Sequence, residues 1–210
     1  MASLLGIFGG TFDPVHYGHL IPAAELMQTL KFEQVRFIPN NVPPHREQPW
    51  LDADTRRQLL ATALADNPDF VLDERELKRQ GPSYMVDTLL GLQEDFPQHR
   101  LCLIMGMDAF AHFTRWHRWQ TILELCHLIV ISRPGVEMPD FGEHQATIET
   151  RISHDVQALN DSLCGQILIQ SQSLIDISAT MIRQRLSQGQ SIIDLVPESI
   201  RGQLETRYAT

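Results

Sequence analysis

At 210 residues the chain is long enough for one domain with a full core, or at most two small ones. Apolar residues make up 43% and charged residues 20%, an ordinary soluble mix, and no apolar run is long enough to cross a bilayer as a helix. The net charge of −9 argues against a general polyanion binder and so against nucleic acid as a partner, although a nucleotide pocket needs only a few local cations. Met1-Ala2-Ser3 carries no basic region ahead of its apolar run, so no secretory signal is expected. Cys102, Cys126 and Cys164 lack metal-type spacing and cannot all pair within the chain, which suits reduced thiols in a cytoplasmic protein.

In chain order, short apolar runs alternate with helical patterns. Strands are expected at Leu4–Phe8, Val35–Pro39, Phe70–Leu72, Leu101–Met105, Leu128–Ser132 and Ile167–Ile169, mostly apolar on both faces as in a covered parallel sheet. Helices are expected at His19–Leu30, Asp54–Asp66 and Tyr84–Asp95, the second capped by Asp52 or Asp54 and the third by Ser83. Phe141–Leu163 reads as helical and then polar. Thr180–Gln188 and Glu198–Tyr208 close the chain as two further helices, with Pro197 in the first turn of the last. The alternation predicts an α/β fold, a single doubly wound, mostly parallel sheet with helices on both faces. No repeat or linker divides residues 1–210, so one domain is expected.

Residues 9–19, Gly-Gly-Thr-Phe-Asp-Pro-Val-His-Tyr-Gly-His, follow the first strand and precede the first helix. A Gly-rich turn at a helix start is a phosphate site, because unpaired N–H groups and the helix dipole favour an anion. Three readings compete. The glycines and histidines could serve only the turn and the helix start. A dinucleotide fingerprint is a second reading, but Gly6, Gly9 and Gly10 lack the Gly-x-Gly-x-x-Gly spacing. The third is nucleotidyl transfer: His16 and His19 would donate to phosphate oxygens as charge builds, with Gly18 keeping the backbone bare beneath a triphosphate.

The eleven residues together resemble the signature of the His/Thr-x-Gly-His nucleotidyltransferases, and in particular the bacterial nicotinate-nucleotide adenylyltransferases. Ile177-Ser178-Ala179-Thr180-Met181-Ile182-Arg183 resembles the family's Ile-Ser-x-Thr-x-x-Arg, whose guanidinium meets the β- and γ-phosphates. Taken alone, Ser178 is a good N-cap and Arg183 an ordinary surface charge. The resemblance runs over almost the whole chain and is weakest at Val136–Gln166.

The resemblance implies a set of roles. ATP would meet Gly9, Gly10, Thr11, Phe12, Gly18, Gly106, Asp108, Arg133, Ser178 and Thr180, with the C-terminal helices, about 178–210, completing the ATP site. Nicotinate mononucleotide would meet Asn40, His45 and Arg46 on the Pro-rich loop after the second strand. Its pyridine ring would lie near Ser83, Tyr84, Thr88, Trp116 and His117. Trp116 would stack on the ring, the His117 amide would meet the carboxylate, and Thr88 is the side-chain candidate for that carboxylate. Asp108 would accept from ribose hydroxyls or lie near the metal. His16, His19 and Arg183 would be the catalytic residues.

The implied reaction joins ATP and nicotinate mononucleotide to give nicotinate adenine dinucleotide and pyrophosphate, with Mg²⁺ carried on the triphosphate and no metal ligands assigned to the protein. The related alternative is an adenylyltransferase for nicotinamide mononucleotide or another phosphate acceptor. A module binding a transition metal through His16 and His19, or a nucleotide binder without catalysis, would be a different class. The sequence leaves open whether the protein is a monomer or a homo-oligomer.

Overall fold

The computed structural model describes residues 3–41, 49–132, 136–171 and 176–208. The elements run β1 (Leu4–Gly10), α1 (Tyr17–Leu30), β2 (Gln34–Pro39), α2 (Ala53–Leu64), β3 (Phe70–Leu72), α3 (Met85–Asp95), β4 (Arg100–Gly106) and α4 (Met107–Phe110). They continue with α5 (Trp119–Leu125), β5 (His127–Ser132), α6 (Gln145–Glu149), β6 (Ile152–Ser153), α7 (Ala158–Asp161), β7 (Ile167–Ser171), α8 (Ala179–Ser187) and α9 (Glu198–Tyr208).

The seven strands form one sheet in the order β3-β2-β1-β4-β5-β7-β6, and every pairing is parallel. Helices cover both faces. One core packs α1, α2, α8 and α9 through Leu26, Leu59, Leu60, Ile182 and Leu204. The other packs α3 and α5 through Val86, Leu89, Ile122 and Leu123. This is the doubly wound architecture expected from the sequence, with the sheet fully parallel. The order in which strands are added reverses between β1 and β4, so their C-terminal ends flank the crevice where such folds bind ligands.

Local chemistry sets the element ends. The Asp52 carboxylate accepts from Thr55 N at 2.8 Å and from Thr55 Oγ1 at 2.8 Å, which makes Asp52 the cap of α2. Asp54 sits in the first turn instead and pairs with Arg57. Pro197 stands just ahead of α9, and its carbonyl accepts from Ile200 N and Arg201 N. Proline fits there because it needs no donor of its own at a helix start.

Two expectations are revised and one gains detail. β1 runs on to Gly10, because Gly9 and Gly10 still pair with Ile38 and Pro39 of β2. Residues 141–163, read as helical and then polar, hold a 3₁₀ turn, α6, the two-residue strand β6 and α7. β6 escapes a periodicity search because two residues carry no period. Ser83 does not cap α3: the cap residue is Tyr84, and Ser83 Oγ accepts from Asn41 N at 3.2 Å.

Replacing Asp52 with Ala removes both bonds at the α2 start. The expected loss is about 1 kcal/mol of unfolding free energy, with an unchanged denaturant slope, read from urea unfolding.

Candidate active site

The 9–19 segment bends between β1 and α1. Phe12 adopts a left-handed backbone (φ 50°) that drops its ring into the core beside Phe8 and Phe37. Its ring lies about 3 Å from where a Gly10 Cβ would stand, and the Met85 methyl occupies the same place at Gly9, at 2.6 Å. The space a side chain would need at those two Cα atoms is therefore taken by the protein's own side chains. Gly18 is crowded in the same way. A Cβ there would stand 2.9 Å from the His16 ring and 2.9 Å from the Ile177 carbonyl, so its bareness lets the α8 start abut the α1 start.

His16 is the N-cap of α1 in an extended backbone, and His19 is the third helical residue. Their rings stack at 3.8 Å, and His19 also meets the edges of Phe8 and Phe12. His16 N–H donates to His19 Nδ1 at 3.3 Å, so a neutral His19 carries its proton on Nε2. His16 Nδ1 is buried and has no hydrogen-bond partner among the described residues. Burial lowers the His16 pKa to about 4, and burial together with the neighbouring His16 holds His19 well below its ordinary 6.5. At neutral pH the pair is a set of uncharged donors waiting on an anion.

The fixed cation comes from the far end of the chain. Arg183 Nη1 donates to the Asp13 carbonyl at 2.7 Å and Nη2 to Thr180 Oγ1 at 3.2 Å, with the Asp13 carboxylate at 3.8 Å. Ser178 caps α8 by accepting from Met181 N at 3.2 Å. Ser178 and Thr180 are exposed at this helix start. Tyr17 N donates to the Leu195 carbonyl, so the segment before α9 also closes on the α1 start. Two helix starts far apart in sequence thus converge on one turn.

On the β2 side, Asn40 Nδ2 donates to Thr11 Oγ1 at 3.2 Å. Asn41 N and Nδ2 reach Ser83 Oγ and the Arg79 carbonyl. Across the crevice, the Tyr84 and His117 rings lie 4.4 Å apart, while half-buried Trp116 packs edge-on against Phe113. Gly106 and Asp108 are exposed beyond β4, and a Cβ at Gly106 would meet nothing within 4 Å. His45, Arg46 and Arg133 lie outside the described residues.

Thr88 is corrected. Its side chain is fully buried, and its hydroxyl donates to Glu76 Oε1 at 2.6 Å. Arg79 Nη1 donates to the same hydroxyl at 3.2 Å. Glu76 is itself buried, burial raises its pKa, and Ser83 is a second hydrogen-bond partner. The Glu-x-x-Arg segment therefore builds a polar knot beneath the α3 start, and Thr88 belongs to that knot rather than to the crevice surface.

Known proteins resemble this chain in sequence and in fold. Residues 7–185 match the cytidylyltransferase-like family model. A nicotinate-nucleotide adenylyltransferase of Salmonella typhimurium is 44% identical over 203 residues, 95% of either chain. A probable nicotinate-nucleotide adenylyltransferase of Aeromonas salmonicida is 43% identical over 197 residues, 93% of this chain and 92% of its own. The chain belongs to the nicotinate-nucleotide adenylyltransferases, within the cytidylyltransferase-like family. The fold is also that of Plasmodium falciparum nicotinic acid mononucleotide adenylyltransferase complexed with NaAD, at TM-score 0.71 and 14% identity over 98% of this chain and 96% of that one.

Two residues that tie the crevice loops together carry no assigned role in the sequence. Asp13 accepts from Trp50 N at 2.8 Å and Leu51 N at 3.1 Å, besides meeting Arg183. Arg56 is 1% exposed and bonds to the Thr11 and Asn40 carbonyls. A signal for Arg56 existed: it stands three and four residues before Leu59 and Leu60, on the apolar face of α2, where a charge is costly.

The histidine shift carries a pH signature. A folded-state pKa near 4 against 6.5 unfolded means the unfolded chain binds more protons between those values, so stability is full above pH 6.5 and falls as pH drops towards 4. His16→Asn should remove up to roughly 3 kcal/mol of that loss. Urea unfolding at pH 7 and pH 4.5, in both proteins, measures it. His127, also lowered to about 4 by burial, leaves a residual slope in the variant.

Proposed function

We propose that the chain transfers the adenylyl group of ATP to nicotinate mononucleotide, releasing pyrophosphate and forming nicotinate adenine dinucleotide for NAD biosynthesis. The observation that carries this reading is the junction of the two helix starts, where Arg183 is bonded to the Asp13 carbonyl beside the paired histidines. Such a junction suits a chain of phosphates lying across both helix N-termini.

The 5′-phosphate oxygen of the acceptor attacks the α-phosphorus of ATP in line. The bond from that phosphorus to the bridging oxygen breaks, and pyrophosphate leaves with the electron pair. His19 Nε2–H and His16 donate to oxygens whose charge grows, and Arg183 supplies permanent positive charge. Thr11, Ser178 and Thr180 line the triphosphate side, with Gly106, Asp108 and Arg133 towards the adenosine. Gly9, Gly10, Phe12 and Gly18 belong to the same side, where side-chain crowding leaves the glycine backbone as the part that would meet phosphate.

Asn40, His45 and Arg46 serve the acceptor phosphate; Ser83, Tyr84, Trp116 and His117 surround its pyridine ring. Holding both reactants side by side supplies much of the rate. Mg²⁺ would travel with ATP on its triphosphate, with no protein ligand assigned to it, and would supply neutralisation of phosphate charge.

Residues 1–210 act as one domain in this reading, with α8 and α9 completing the ATP side. The partners are small molecules in the cytoplasm; the net charge of −9 disfavours nucleic acid, and no described helix is long and apolar enough to cross a membrane.

The purified protein should release pyrophosphate from ATP plus nicotinate mononucleotide, faster than with the amide nucleotide. His19→Ala should lower kcat at least roughly 100-fold, the scale of losing a transition-state donor. A folded His19→Ala protein with near-native kcat would remove His19 from the mechanism.

A further inference from the structure

We infer that Arg56 is a positioning residue that locks the triphosphate turn to the acceptor-nucleotide loop, so that the two substrates meet in register. The inference rests on the proposed function for the identity of the substrates. The side chain lies on α2, away from the crevice surface, and is 1% exposed.

Its guanidinium reaches three separate segments at once. Nη1 donates to the Thr11 carbonyl at 2.7 Å, on the β1–α1 turn. Nη2 donates to the Asn40 carbonyl at 2.9 Å and the Asn41 carbonyl at 3.4 Å, after β2. Nε donates to the Leu51 carbonyl at 3.2 Å, at the root of α2. Asn40 completes the bridge by donating Nδ2 to Thr11 Oγ1 and N to the Gly10 carbonyl.

Helix packing alone does not call for this arrangement. A buried guanidinium is expensive, and burial lowers the Arg56 pKa against the opposing pull of the Asp13 and Asp52 charges. A methionine of similar length would fill the space without that cost. What a methionine cannot do is accept a fixed spacing from three loops, because only a planar fork with five donors reads several carbonyls in one plane. The loops it joins carry Thr11 on one side and Asn40 on the other, the two sides of the reacting phosphates. In-line transfer is sensitive to that spacing, since a shift of about 1 Å can cost roughly 100-fold in rate.

The test compares Arg56→Lys and Arg56→Met with the native protein, on the full chain. Arg56→Lys keeps the charge but not the fork. If the inference holds, both variants remain folded by near-UV circular dichroism, and kcat falls roughly 30-fold or more. The KM for each substrate changes less than about threefold, and Lys retains more activity than Met. Hydrogen exchange supplies a second readout that needs no turnover. In the native protein, α,β-methylene-ATP should slow exchange at the Asn40 and Asn41 amides, beyond the turn it contacts; in Arg56→Lys that transmitted protection should vanish.

A folded variant with native kcat overturns the inference. So does a loss of kcat that only tracks the unfolded fraction, or protection at Asn40 and Asn41 that survives in Arg56→Lys. If the native protein releases no pyrophosphate from ATP and nicotinate mononucleotide, the proposed function fails. The exchange experiment with the ATP analogue then still decides the role of Arg56.

Discussion

Asp13 is the point on which the rest of the crevice depends. Its carboxylate receives the N–H groups of Trp50 and Leu51, and its carbonyl receives Arg183 Nη1. One buried residue thereby fixes the β1–α1 turn, the root of α2 and the C-terminal helix α8 in a single frame. Charge-assisted hydrogen bonds in a partly dry site are strong and directional, so the frame is specified by angle as well as by distance. Arg56 fixes the same turn from α2, through the Thr11 carbonyl.

The electrostatics of the site follow from what is buried and what is paired. Both histidines are pushed towards the neutral form, so the free crevice carries its fixed positive charge on arginine rather than on imidazole. Neutral imidazoles on a helix start avoid adding cations to the positive end of the α1 dipole. They remain able to donate hydrogen bonds to an anion. The stacking of the rings at 3.8 Å would be costly if both were protonated, which is consistent with the direction of the shifts.

The sequence was most legible where a physical rule acts over short range. The Ser178 cap and the apolar runs of β4, β5 and β7 follow from local spacing and composition, and the structure has them in place. It was least legible where the deciding partner is distant. Thr88 looked free for a carboxylate until Glu76, twelve residues earlier, was found to hold its hydroxyl. Gly9, Gly10 and Gly18 also make room for Met85, Phe12 and the Ile177 carbonyl, which no local spacing announces. Glycine marks close approach in a sequence, but it does not say what approaches.

By itself the sequence determined the α/β class, six of the strands with the main helices between them, and, through its resemblance, the family. These depend on apolar periodicity, caps and a dense eleven-residue motif, all written within a few residues of one another. Only the tertiary structure decided which donors face the crevice, how Arg183 meets a turn 170 residues away, and why Arg56 is buried. The reason is that hydrogen-bond partners across a parallel sheet are set by strand order and register. Here β1 lies between β2 and β4, and that placement brings together loops that are far apart along the chain.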